Sequence, residues 1–208
     1  MKNISTYINE KLKISSKSNK KSEIEYVPNN RDELRKLLVK LIKERGKNAD
    51  LNDIDVSKIT DMSHLFDNNV IIENIDISEW DVSNVTNMEF MFFECNNFIG
   101  NISKWDVSNV TNMKNMFASC EQFNNDISEW DVSHVENMAC MFYDCYKFNQ
   151  DISKWDVSNV TNMSYMFSYC LKLNQNLENW NTKNVKTMTD MFLKTPIFYN
   201  PPSWYKMY

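Results

Sequence analysis

Apolar residues recur along this chain with a fixed period. Met88, Met91, Phe92 and Cys95 stand at i, i+3, i+4 and i+7, and the same letters return at Met113, Met116, Phe117 and Cys120, at Met138, Met141, Phe142 and Cys145, and at Met163, Met166, Phe167 and Cys170. That spacing puts four apolar side chains on one helical face, so it predicts a short helix in every copy. Ahead of each helix runs "WDVSNVTNM", starting at Trp80, Trp105 and Trp155 and, with changed letters, at Trp130 and Trp180, always 25 residues apart. Val82 and Val85 are expected to face inward at a corner, while Ser83, Thr86 and Asn87 offer oxygens to the amides that open the helix. Before each Trp, "ENIDISEW" alternates Ile75 and Ile77 with polar residues, and "NISKW" (Asn101–Trp105) takes the same place one copy later. These segments read as short strands, stacked in parallel on their equivalents about 4.8 Å apart.

Six copies are found by aligning on Asp61, Asn87, Asn112, Asn137, Asn162 and Thr187. A period of this size predicts a solenoid. A helix of two turns is not stable alone, so each copy needs its neighbours, and the two ends need covers. The front cover is a helix at Arg31–Arg45. Asn30 caps it, Glu33 reaches back, Leu34, Leu37, Leu38, Leu41 and Ile42 form its apolar stripe, and Gly46 stops it. At the back, Pro201 and Pro202 remove ladder donors, and Phe198, Tyr199, Trp204 and Tyr205 roof the last copy. Ile4, Tyr7, Ile8 and Leu12 suggest an amphipathic helix at Asn3–Lys13, followed by a lysine-rich link. The organisation is therefore a short helix plus basic linker over 1–25, a capping helix region over 26–50, the six-unit array over 51–195, and an aromatic and proline-rich cap over 196–208.

Composition narrows the function. The chain has 208 residues and only 2 glycines, which argues against phosphate-cradling glycine loops. Residues 1–50 carry 13 Lys and Arg against 7 Asp and Glu, whereas residues 51–208 carry 10 against 21. The acidic array should repel nucleic acid. No apolar run reaches the length of a membrane span, so no membrane insertion is expected. Met1–Lys13 has no apolar stretch of the signal-peptide kind, which points to a cytoplasmic, intracellular chain. Cys95, Cys120, Cys145 and Cys170 share one column and Cys140 stands outside it; all five read as free thiols, with no zinc spacing. Asp81, Asp106, Asp131 and Asp156 form an acidic column that fits Asx turns, and calcium is not expected. No cofactor, metal or catalytic constellation emerges around His64 or His134, so no enzyme activity is expected. The sequons at Asn84, Asn109 and Asn159 read as turn chemistry.

The string "WDVSNVTNM..MF..C..FN.DIS" resembles the repeat of BspA-like leucine-rich-repeat proteins, the type also found in mycoplasma lipoproteins, over about Leu51–Phe192. The resemblance implies an α/β fold: a leucine-rich-repeat-like, right-handed solenoid of six units of about 25 residues, each a short parallel strand, corner and short helix. Met, Phe and Trp would replace many of its leucines. It also implies a non-catalytic protein-binding module; the alternatives are a structural or assembly component, for example of a phage or virus particle, or a surface adhesin on a cell surface or virion. The repeat core is expected at Trp80, Trp105, Trp130, Trp155, Trp180, Met88, Met113, Met138, Met163, Phe92, Phe117, Phe142, Phe167, Cys95, Cys120, Cys145 and Cys170. The letters that vary between copies are the candidate sites for a protein partner: Phe90, Phe93, Tyr143, Tyr146, Tyr165 and Tyr169.

Overall fold

A computed structural model describes residues 23–67 and 72–206. The Asn3–Lys13 helix and nearly all of the basic linker lie outside the described residues. Among those described, one α-helix, α1 (Arg31–Arg45), and one 3₁₀ helix, Pro196–Tyr199, are the only helices. There is no strand or sheet among them, only isolated parallel bridges, such as Asn87 to Asn112, Asn112 to Asn137 and Asn137 to Asn162. The expected α/β, leucine-rich-repeat-like solenoid of strand–corner–helix units is therefore overturned. The chain is instead a stack of coils built from consecutive turns.

The third coil shows why no helix forms. Asn115 and Ser119 hold φ of 56° and 61°, in the left-handed region, so a right-handed helix cannot run through them. Each is the third residue of a four-residue turn: Met116 N–H donates to Met113 O at 3.2 Å, and Cys120 N–H to Phe117 O at 2.9 Å. The amides in between point out of the coil. Met113, Asn115, Phe117 and Ser119 donate to Asn137, Ala139, Met141 and Tyr143 of the next coil at 2.7 to 3.0 Å. Lys114 N–H goes to the side chain of Asn112, and Ala118 N–H to Asn115 O. Every amide from Met113 to Cys120 is thus satisfied without an α-helical bond. Two successive turns of four reproduce the i, i+3, i+4, i+7 spacing, and that is how the pattern imitates a helix.

The expected strand fails for a similar reason. In "NISKW", Asn101 Oδ1 accepts the Ser103 N–H at 3.1 Å, closing an Asx turn. Trp105 N–H then turns back to Ile102 O at 3.2 Å.

The coils hold each other by columns of identical side chains. Phe66, Phe92, Phe117, Phe142, Phe167 and Phe192 stack face to face with ring centroids 5.2 to 5.9 Å apart. Phe98, Phe123 and Phe148 form a second column, with centroids 6.2 Å apart. Each Trp indole N–H donates to a main-chain carbonyl one coil back, from Trp80 to Leu51 O at 2.9 Å through Trp180 to Ile152 O at 3.1 Å. The cysteines do the same to the phenylalanine carbonyls, with Cys120 Sγ 3.0 Å from Phe92 O. The expected core tryptophans, methionines, phenylalanines and column cysteines are all buried.

Both ends carry a cap, though Tyr199, expected in the C-terminal roof, is 90% exposed. Asn30 Oδ1 accepts the Glu33 N–H at 3.0 Å, and the Glu33 carboxylate takes the Asn29 N–H at 2.9 Å. Gly46 ends α1 at φ 89°. Leu34, Leu38, Leu41 and Ile42 are buried in the core, while Leu37 is only partly so. Arg45 forks onto Asp53 at 2.9 and 2.7 Å, and Arg35 meets Asp67 at 2.8 Å. At the other end, Pro202–Tyr205 copies the first corner of a coil. Tyr205 N–H reaches Pro202 O, and the Trp204 indole binds Leu177 O at 2.8 Å and stacks on Trp180.

Turns and helices respond oppositely to one substitution pair. Ser119→Gly is expected to be more stable than Ser119→Ala by about 1 kcal/mol, because only glycine is free of cost at positive φ. A helix at that position would favour alanine by about 1 kcal/mol. Chemical denaturation of the two variants distinguishes them. Phe117→Ala, which breaks the longest ring column, is expected to cost about 3–5 kcal/mol in the same assay.

Candidate functional site

The turn stretch of each coil presents one face outward, and its columns run along the stack. The first left-handed position is occupied in order by His64, Phe90, Asn115, Cys140, Tyr165 and Asp190, with φ between 50° and 59°. The second holds Glu94, Ser119, Asp144, Tyr169 and Lys194, with φ between 60° and 64°. Between them lie Phe93, Ala118, Tyr143, Ser168 and Leu193. Left-handed backbone directs the side chains of the first two columns away from the core; in the column between them Phe93, Tyr143 and Leu193 are partly exposed, while Ala118 and Ser168 are buried.

The six candidate residues fall into two groups. Phe90 and Phe93 meet edge to face at 5.2 Å. The His64 ring stacks on the other side of Phe90 at 4.8 Å, and its Nδ1 lies 2.5 Å from Asp67. Lys114 Nζ sits 5.6 Å over the Phe90 ring and 3.0 Å from Glu89. Two coils further on, Tyr143 and Tyr169 meet edge to face at 5.7 Å. Tyr165 and Tyr146 are the open rings of this group, 38% and 36% exposed. Among the described residues no ring stacks on either. A hydrogen bond to Asp144 pushes the Tyr146 hydroxyl up, and burial does the same for Tyr143. Small side chains, Asn115, Ala118 and Ser119, separate the two groups. His64 and Lys114 were not identified from the sequence as part of this face. His64 shares the column of Phe90, which was the available signal; Lys114 belongs to a neighbouring column and reaches Phe90 from the adjacent coil.

The other candidate chemistries are occupied by structure. Asp81, Asp106, Asp131 and Asp156 each accept the N–H of the serine two residues on, at 3.0 to 3.1 Å. In Asp131 and Asp156 the serine hydroxyl and amide hold the carboxyl below its usual range. The sequon asparagines donate their amides between coils: Asn84 to Ser57 O, Asn109 to Ser83 O and Asn159 to Ser133 O, at 2.7 to 2.8 Å. His134 replaces one of these asparagines and stays exposed. Burial pushes the Cys95 thiol up to about 12 and raises Cys120, Cys145 and Cys170 strongly. Cys140 is half-buried and raised by burial too.

These features define a repeat protein of stacked, turn-built coils with aromatic side chains displayed along one face. Residues 36–145 and again 120–207 match the family described as "Mycoplasma protein of unknown function, DUF285", and the chain belongs to that family. No curated protein and no solved structure matches the chain.

The thiols give a direct check. At pH 8 a water-soluble alkylating reagent is expected to label Cys140 alone in the folded protein and all five cysteines after unfolding, because thiolate and access are both needed. The four column thiols ionise near pH 8.5–9 when unfolded but far higher when folded. Their contribution to stability is therefore complete below about pH 8.5 and is lost as pH rises toward 12. A melting temperature that falls through that window is the expected result.

Proposed function

We propose that this protein is a non-catalytic binding module that holds a protein partner on the turn face. The observation that carries this reading is where the rings sit. Phe90 and Tyr165 hold positive φ, which costs a bulky residue roughly 1–2 kcal/mol. Asn115 and Asp190 occupy the same column in other coils, and asparagine and aspartate tolerate that conformation best after glycine. The stack therefore does not need an aromatic residue there. A strained ring that packing does not require is the kind of feature retained for contact with a ligand. Tyrosine and phenylalanine also offer much contact area at little entropic cost.

The finer likeness of the repeat letters to BspA-like proteins agrees with this reading, since members of that group are often surface proteins that bind other proteins. It enters through the repeat sequence and its varying letters, and brings no leucine-rich-repeat architecture with it.

The test is a paired variant, Tyr165→Asn with Tyr146→Ser, in cross-linked capture from source extract. Binding of the captured partner is expected to weaken by at least about tenfold, with a melting temperature equal to or above that of the parent. Unchanged capture contradicts the proposal, and so does loss of folding, which would make the rings part of the packing.

A further inference from the structure

Among the described residues, one half of the sixth coil is left uncovered. In the coils before it, Val85, Val110, Val135 and Val160, and Met88, Met113, Met138 and Met163, are fully buried under the next coil. Their equivalents Val185 and Met188 are only half-buried. They floor a cavity of about 570 Å³ whose far wall is Phe198, Trp204 and Tyr205. The described part of the C-terminal cap covers the Trp side of the coil and does not cover this side.

The main chain there is also unfinished. In the fifth coil, Met163 and Tyr165 donate to Thr187 O and Thr189 O at 2.9 and 2.8 Å, and Thr161 O accepts the Lys186 N–H at 2.8 Å. The corresponding groups of the sixth coil are the amides of Met188 and Asp190 and the carbonyl of Lys186. Among the described residues none of the three has a main-chain partner. The edge thus offers two donors and one acceptor at the spacing used by every coil junction before it. Its lining carries two exposed lysines, Lys186 and Lys206, against one exposed carboxylate at Asp190.

We propose that this edge is a docking seat for an extended peptide segment of acidic and apolar character, which adds to the sixth coil as one further rung. The segment's main chain donates to Lys186 O and accepts from the Met188 and Asp190 amides. An apolar side chain covers Val185 and Met188, and a carboxylate beside it meets Lys186. Continuity supports the apolar and main-chain parts, since the seat repeats the junction between coils. Charge supports the acidic part: the fourth coil itself carries Glu136 at the position that would face Lys186. This seat is separate from the turn-face tyrosines.

The probe is a synthetic peptide, VSNVENMKNM, which copies residues 107–116 with glutamate in place of Thr111, added to the full chain. Trp204 lines the cavity, so tryptophan fluorescence reports occupancy. Saturable binding is expected. Methylating the glutamate amide, which removes the donor to Lys186 O, is expected to weaken it at least about tenfold. Lys186→Glu, an exposed change with no packing consequence, is expected to abolish binding of this peptide and admit one with lysine in place of glutamate. The Tyr165→Asn, Tyr146→Ser variant is expected to bind the peptide as the parent does, so this proposal and the turn-face reading fail independently. Absence of binding overturns the proposal, as does equal binding of the methylated peptide. So does concentration-dependent self-association that the peptide reverses, which would assign the seat to a second copy of the chain.

Discussion

From Met113 to Cys120, the amides are divided between two acceptors: some close turns within the coil, and the others cross to the next coil. The left-handed residues at Asn115 and Ser119 impose that division, because they break the helical path and turn alternate N–H groups outward. A buried amide left without an acceptor costs about 1–3 kcal/mol. A coil of this kind cannot exist alone, then, and each one is completed by the next. The fold is a consequence of that debt being passed along the chain.

The columns of identical residues follow. Once the main chains of two coils are locked together through Asn115 and Ala139 or Phe117 and Met141, equivalent side chains are brought into register. Phe117 must then stack on Phe92 and Phe142, and the Trp130 indole must find Ile102 O. A phenylalanine column works because each ring covers the next at an offset-stacked distance. The ends are where the pattern has no neighbour, and they show it: α1 supplies leucines at one end, and Trp204 supplies a lone indole at the other, bonded as a repeat tryptophan would be. The half of the sixth coil that Trp204 does not reach keeps its edge.

Much of this was visible in the letters, and the misreadings have physical causes. The period, the inward tryptophans, methionines and phenylalanines, and the cap, stripe and stop of the Arg31–Arg45 helix can be read directly. The turn stretch could not be told from a helix by apolar spacing, since two turns of four place Met113, Met116, Phe117 and Cys120 as a helix would. The distinguishing signal was on the polar side: Asn115, Ser119, Asp144 and Asp190 are residues that favour turns and left-handed backbone. Phe90 and Tyr165 in the same columns masked it. The supposed strands carried their own warning, an Asp or Asn two residues before a Ser at Asp76, Asn101, Asp126 and Asp151, which is the mark of an Asx turn. Of the candidate face, the columns were legible because equivalents 25 residues apart must be neighbours in a stack. Contacts that cross between different columns, such as Lys114 over Phe90 or Tyr143 against Tyr169, depend on side-chain directions that spacing does not convey.

The central claim is that the amides of the turn stretch bond between coils. Scalar couplings across hydrogen bonds, measured by NMR on the isotope-labelled protein, test it without any substitution. The account predicts couplings from the Asn115, Phe117 and Ser119 amides to the carbonyl carbons of Ala139, Met141 and Tyr143. Couplings from Phe117 to Met113 and from Met116 to Asn112, each four residues back along the chain, would mean helices and would contradict it.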